Sequence, residues 1–141
     1  MAAKGHIVFI SSIAGIFGLP GASVYCASKG ALTGLAGSLR LEVGPAGVHV
    51  GVVHLGFTEH DPDKRLLAAD GSPLAPARPA HHTQAQAAAA IVSAMERRQQ
   101  QVTLTAIGKV GRAAHRVSPG LVQWTIGRAM ASNWSMFQQF S

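Results

Sequence analysis

The sequence predicts an α/β fold built on a parallel sheet of about three strands, and three observations lead there. Two short, continuous apolar runs rich in β-branched residues, "HIVFIS" at 6–11 and "VHVGVVHLG" at 48–56, have the character of strands covered on both faces. The stretch between them, 24–43, lacks proline and holds an apolar pattern of helical period. Two further segments, an alanine-rich helix at 84–98 and a third strand "QVTLTAIG" at 101–108, complete a strand-helix-strand-helix-strand order. Such alternation implies right-handed crossovers between parallel strands.

The elements are justified in turn by their boundaries. A glycine-rich stretch separates the first strand from the 24–43 helix, and "GPAG" at 44–47 supplies the helix stop through Gly44 and Pro45. Residues 57–83, with Pro62, Pro73, Pro76 and Pro79, form a connection too long for a plain linker. It follows the carboxyl end of a strand, where open parallel sheets place ligands, so a substrate loop is expected. Arg97 and Arg98 in the last turn of the 84–98 helix complement its dipole. Residues 1–108 form the α/β part and 109–141 a C-terminal helical extension. There, Ser118 is the expected N-cap and Pro119 the first helical residue. Leu121, Val122, Trp124, Ile126 and Met130 give this extension an apolar surface for core docking, a subunit contact, or a membrane-surface or partner helix.

Composition narrows the function classes. Across 141 residues, 48% are hydrophobic and 13% charged, which excludes a disordered chain and implies a rich core. Apolar stretches are broken well before the ~20 residues of a membrane span, and no basic-plus-apolar leader follows Met1. One cysteine, Cys26, excludes an internal disulfide and fits a reducing, cytoplasmic setting, with packing as its role. The net charge of +6 is spread from Lys4 to Arg128 with only Arg97 and Arg98 adjacent, so no nucleic-acid partner is expected. His81 and His82 are adjacent, and His49 and His54 fall on opposite strand faces, so no metal site is expected.

"SSIAGIFGLPGASVYCASKGAL" at 11–32 concentrates the chemistry. Gly15, Gly18 and Gly21, with Glu42 some way on, imitate a dinucleotide fingerprint poorly. The spacing is G-x-x-G-x-x-G, Pro20 interrupts the loop, and Glu42 falls at a helix end. These glycines suit positive-φ turns and a close approach to a flat ligand. Tyr25 and Lys29 are more informative. A phenol, with its ordinary pKa of about 10, needs a stabilised phenolate to exchange protons near neutrality. Lys29 lies one turn along the same face, where its charge does that. Ser12, delivered to the sheet's carboxyl edge, has a hydroxyl suited to a carbonyl or alcohol oxygen.

The run "IVFISSIAGIFGLPGASVYCASKGALTGLAGSLRLEV" closely resembles the active-site segment of the short-chain dehydrogenase/reductase family. The resemblance includes the thirteen-residue step from Ser12 to Tyr25, Lys29 four residues later, and Ser28 before it. It implies a partial Rossmann-like, doubly wound parallel sheet (β-α-β-α-β) and an NAD- or NADP-dependent oxidoreductase interconverting an alcohol and a carbonyl compound. By position, Ser12 polarises the substrate oxygen and Tyr25 is the general acid/base. Lys29 lowers the tyrosine pKa and, with Tyr25, holds the nicotinamide ribose. Where the family carries Pro-Gly and then a threonine, this chain has Leu55-Gly56 with Thr58 and His60, so Leu55, Gly56 and Thr58 are the expected nicotinamide contacts. The family's opening Gly-rich βαβ unit and its relay asparagine have no counterpart, which implies a truncated or split member; the alternative is an inactive remnant serving as an interaction module. An exposed apolar edge on the first strand is expected. Small residues Ala27, Ala31, Gly34 and Ser38 line the helix opposite Tyr25, Lys29, Leu32 and Ala36, and the resemblance implies a homodimer or tetramer there.

Overall fold

The computed structural model describes residues 5–59, 61, 66–67, 70–74 and 80–132. Its main sheet has three parallel strands in the order β1 (Gly5–Ser12), β2 (Val48–Leu55) and β5 (Gln101–Thr103). In the long connection, β3 (Leu66–Leu67) and β4 (Pro73–Leu74) make a short antiparallel pair. Four helices accompany them: α1 (Ser23–Val43), α2 (Gln84–Glu96), α3 (Ala106–Val117) and α4 (Pro119–Ser132). The result is the expected partial α/β sheet.

Burial explains the sequence pattern of the central strand. In β2, His49 through His54 are all buried, which is why this stretch is apolar at consecutive positions. On one face, Val50 and Val52 pack with Ala36, Leu39 and Val43 of α1 and with Phe9 of β1. The opposite face, with His49, Gly51 and Val53, is closed as well, and α2 packs against this strand through buried Ala87 and Ala94. His49 and His54 thus point to opposite faces, as their odd separation requires. Along α1, Ala36 is buried, Lys29 and Leu32 are half-buried and Tyr25 is exposed, whereas Ala27, Ala31, Gly34 and Ser38 all face solvent.

β1 pairs along its whole length with β2, from Gly5 opposite Val48 to Ser12 opposite Leu55. Ser12 and Leu55 therefore end side by side at the carboxyl edge. The other edge of β1 has no partner among the described residues, and Ile7 and Ile10 are 37% and 39% exposed, the apolar edge the sequence predicts.

Three boundaries differ from expectation. Gly44 remains right-handed and leads into a 3₁₀ turn over Gly44–Ala46; the left-handed stop is Gly47, at φ 85°. Proline at the second position of that turn has the φ a 3₁₀ turn needs, so chain reversal waits until Gly47, two residues past Pro45. The third strand ends at Thr103 rather than Gly108, because the Thr105 hydroxyl accepts from Gly108 N–H at 3.0 Å and starts α3. Helix α2 opens on a reciprocal capping box between Thr83 and Gln86, with bonds of 3.1 and 2.9 Å. It ends at Glu96, so Arg97 is its C-cap and Arg98, at φ 50°, lies beyond the last turn. Of the expected substrate loop, His60, Pro62, Pro76 and Pro79 lie outside the described residues. Its base is closed by a parallel bridge between Thr58 and His82.

Candidate active site

The serine pair at the end of β1 divides its work. Ser11 is buried and its hydroxyl donates to the backbone carbonyl of Lys29 at 2.9 Å. Ser12 is half-buried and its Oγ accepts from Ala14 N–H at 3.3 Å, capping the 3₁₀ turn Ile13–Gly15. That bond uses a lone pair only, so the Ser12 proton remains available to an oxygen at the sheet edge.

Gly15 lies against the same point on α1. A Cβ at Gly15 would stand 2.7 Å from both the Lys29 carbonyl oxygen and Ser11 Oγ. The close approach served by this glycine is thus to the helix that carries Tyr25 and Lys29. Gly21, at φ 73°, supplies the positive-φ turn expected of the loop. Cys26 holds the loop from the other side, its sulfur accepting from Leu19 N–H at 3.2 Å and lying 3.8 Å from the Leu19 carbonyl oxygen. This is the packing role expected of the lone thiol.

Tyr25 and Lys29 occupy successive turns of α1, and the Lys29 ammonium lies 5.8 Å from the Tyr25 ring centroid. The same ammonium donates to the Ile10 carbonyl at 3.3 Å, two residues before Ser12. One cation therefore connects the end of β1 with the tyrosine. Tyr25 is 49% exposed, and no described residue bonds to its hydroxyl.

At the neighbouring strand end, Leu55 is level with Ser12 and Gly56 follows. The space a side chain would need at Gly56 is taken by the Thr105 methyl, with His81 Nδ1 at 3.4 Å from that position. Thr58 donates to the Gly56 carbonyl at 3.5 Å, and the Phe57 and His81 rings stack with centroids 5.5 Å apart. His82 Nε2 is buried beside Gly56 without a hydrogen-bond partner among the described residues. An orphaned polar atom at this edge suits a polar ligand.

His54 was not singled out by the sequence as part of the site. It is fully buried, and its Nδ1 meets the Ser12 carbonyl at 3.1 Å. Its Nε2 is 3.0 Å from the Gln101 amide nitrogen, whose oxygen accepts from Arg112 at 3.1 Å. This chain fixes the tautomer: Arg112 orients Gln101 with its NH₂ toward His54, so Nε2 accepts and Nδ1–H donates to Ser12. Burial holds the imidazole pKa below 6.5, the Ser12 carbonyl pulls it upward, and Arg112 adds to the lowering. A histidine inside an apolar strand reads as packing in sequence; only the register with Gln101 exposes its role.

A cleft of about 480 Å³ lies between the loop at Leu19 and Pro20, Cys26 on α1, and Gln123, Ile126 and Gly127 of α4. Its walls are largely apolar, and its lining residues Ser23 and Cys26 belong to the first turn of α1, which also carries Tyr25. No group of metal-ligating side chains is present among the described residues.

Ser12 thus stands at the carboxyl end of β1 in a parallel α/β sheet, with Tyr25 and Lys29 on the helix that follows, the edge at which open α/β sheets bind their ligands. Residues 1–71 match the short chain dehydrogenase family model, and the chain belongs to that family. It is 54% identical over 50 residues to 3-ketodihydrosphingosine reductase of Dictyostelium discoideum, covering 36% of this chain and 15% of that protein. Identity to the 3-oxoacyl-(acyl-carrier-protein) reductase of Rickettsia prowazekii is 47% over 62 residues, 44% of this chain and 26% of the other. A short chain dehydrogenase of Burkholderia cenocepacia, solved in complex with NADP, superposes with a TM-score of 0.72 at 20% identity, over 87% of this chain and 47% of that one. A short-chain dehydrogenase of Streptomyces avermitilis gives 0.62 at 25% identity, over 95% and 51%. The chain thus spans about half the length of the solved chains and a smaller share of the curated relatives.

Proposed function

We propose that this chain carries the catalytic half of an NAD- or NADP-dependent oxidoreductase that interconverts an alcohol and a carbonyl compound, with Ser12, Tyr25 and Lys29 as its catalytic residues. The observation that carries this reading is the Lys29 ammonium, anchored on Ile10 at the end of β1 while lying 5.8 Å from the Tyr25 ring. In the direction of reduction, Ser12 donates its free proton to the substrate oxygen and polarises the C=O bond. Tyr25 delivers a proton to that oxygen, and Lys29 stabilises the phenolate left behind. The nicotinamide, when bound, supplies the hydride.

The residues present fit the nicotinamide end of such a cofactor. Lys29, with one carbonyl partner, and Tyr25, with none, offer donors to a pair of ribose hydroxyls. Leu55, Gly56 and Thr58 border the ring position, and the orphaned His82 Nε2 gives that edge one more polar atom. Residues 57–83 act as the substrate loop. The names of the two curated relatives describe keto groups on acyl or sphingoid frames, and the apolar cleft beside α4 suits the hydrocarbon part of such a substrate.

The second reading is an inactive family remnant that serves as an interaction module. The bare apolar edge of β1 favours it, as does 37% identity over 76 residues to a Xanthobacter autotrophicus protein described as an inactive 2-(S)-hydroxypropyl-CoM dehydrogenase 2. Titration of the full chain with NADH and NADPH, followed by nicotinamide fluorescence, decides between them. Saturable binding that Lys29→Met weakens supports the enzyme. A folded chain that binds neither cofactor supports the module.

A further inference from the structure

The charge of this chain is unevenly distributed. Residues 97–141 contain Arg97, Arg98, Lys109, Arg112, Arg116 and Arg128 and no aspartate or glutamate. Helices α3 and α4 lie in this region. One side of α3 is docked: Cβ positions at Gly108 and Gly111 come within 2.7 Å of Ile13 and 2.9 Å of Phe17. The other side carries Ile107, Val110 and Val117, exposed by 71%, 69% and 87%. Their spacing of three and seven residues keeps them within one stripe of a helix, and exposed Lys109 and Arg116 lie together along one border of it. Helix α4 adds Leu121 and Trp124, 57% and 58% exposed and one turn apart, with Arg128 5.2 Å from the Trp124 ring.

We infer that α3 and α4 form a docking surface for an anionic lipid bilayer, with the branched aliphatic side chains entering the headgroup boundary and the flanking cations meeting lipid phosphates and carboxylates. An exposed aliphatic stripe bordered by lysine and arginine, with an aromatic side chain near it, is the arrangement by which a helix lies in a membrane interface. No described helix is long and apolar enough to cross a membrane, so the contact is parallel to its surface. Charge selects this occupant. A second copy would bring two all-cationic surfaces together against their mutual repulsion. Nucleic acid would satisfy the cations but leave Ile107, Val110 and Val117 without a partner.

The test is flotation of the full chain with vesicles of phosphatidylcholine alone and of phosphatidylcholine with phosphatidylserine, at low and high salt. Serine-lipid vesicles are expected to bind roughly a hundredfold more tightly, about fivefold for each of three surface cations, and high salt should remove most of that gain. Val110→Glu with Val117→Glu should reduce the partition at least about tenfold, since each places an acid where a methyl pair met lipid. Both side chains are exposed, so circular dichroism should be unchanged; Val117→Glu alone, the most exposed position, serves if the double variant does not fold. Absence of vesicle binding, equal binding to neutral vesicles, or full binding by the folded variants overturns the inference. So does a variant that turns a dimer into a monomer without changing the partition. None of these outcomes depends on cofactor binding, so the proposed enzyme can fail while this surface stands.

Discussion

The Ser11 hydroxyl donates to the Lys29 carbonyl at 2.9 Å and so ties the end of β1 to the second turn of α1. The bond matters because it joins the strand that delivers Ser12 to the helix that delivers Tyr25 and Lys29. Ser11→Ala removes that donor while the Lys29 carbonyl keeps its place in the α1 ladder, and the expected loss is about 0.5–1.5 kcal/mol of stability. Urea unfolding measures it, and an unchanged midpoint would remove Ser11 from this role.

Tyr25→Phe separates fold from chemistry. The hydroxyl bonds to no described residue and the ring is half exposed, so unfolding should be unchanged. If Tyr25 transfers the proton, NADPH-dependent ketone reduction should fall by about 10² to 10⁴. Lys29→Met should in addition weaken NADPH binding about tenfold or more, the worth of a hydrogen bond to a charged donor. Near-normal turnover in Tyr25→Phe sinks the tyrosine assignment.

What could be seen in the sequence, and what could not, divides by distance along the chain. Tyr25 and Lys29 are neighbours on one helix, so their spacing alone places them together. β2 was legible because burial on both faces leaves an uninterrupted apolar run. Ser11 and Ser12 look alike in sequence, and only the register against β2 and α1 sends one into the core and the other to the edge. The chain from Ser12 through His54 and Gln101 to Arg112 spans a hundred residues and four elements, and no local pattern announces it. Thr105 and Gly108 read as strand continuation, but a hydroxyl cap turned them into the start of α3.

Gly15 and Gly18, three residues apart, should respond oppositely to alanine. A Cβ at Gly15 collides with the Lys29 carbonyl and Ser11 Oγ, and the displacement should cost about 1–3 kcal/mol. At Gly18 the same atom meets nothing within 4 Å, and φ is not in the left-handed region. Restricting the unfolded chain there should leave stability unchanged or raise it by about 0.5 kcal/mol. Thermal unfolding of the two variants compares them directly, and equal losses would contradict the packing described.

His54 should make stability depend on pH in a defined direction. Its folded pKa lies below the 6.5 of a free histidine, so the unfolded chain takes up the proton first. The stabilisation from neutral His54 is complete above about pH 6.5, is lost as pH falls toward the folded value, and levels off below it. One proton limits the slope to about 1.4 kcal/mol per pH unit. The main physical reason is burial, which disfavours the charged imidazolium; in addition, a proton at Nε2 would face the Gln101 NH₂ group, and turning that amide would break its bond to Arg112. His54→Asn should therefore be less stable at pH 7.5 but lack this part of the slope. Urea midpoints of both chains between pH 5 and 7.5 provide the measurement, and an identical slope in the variant would assign the pH dependence to another group.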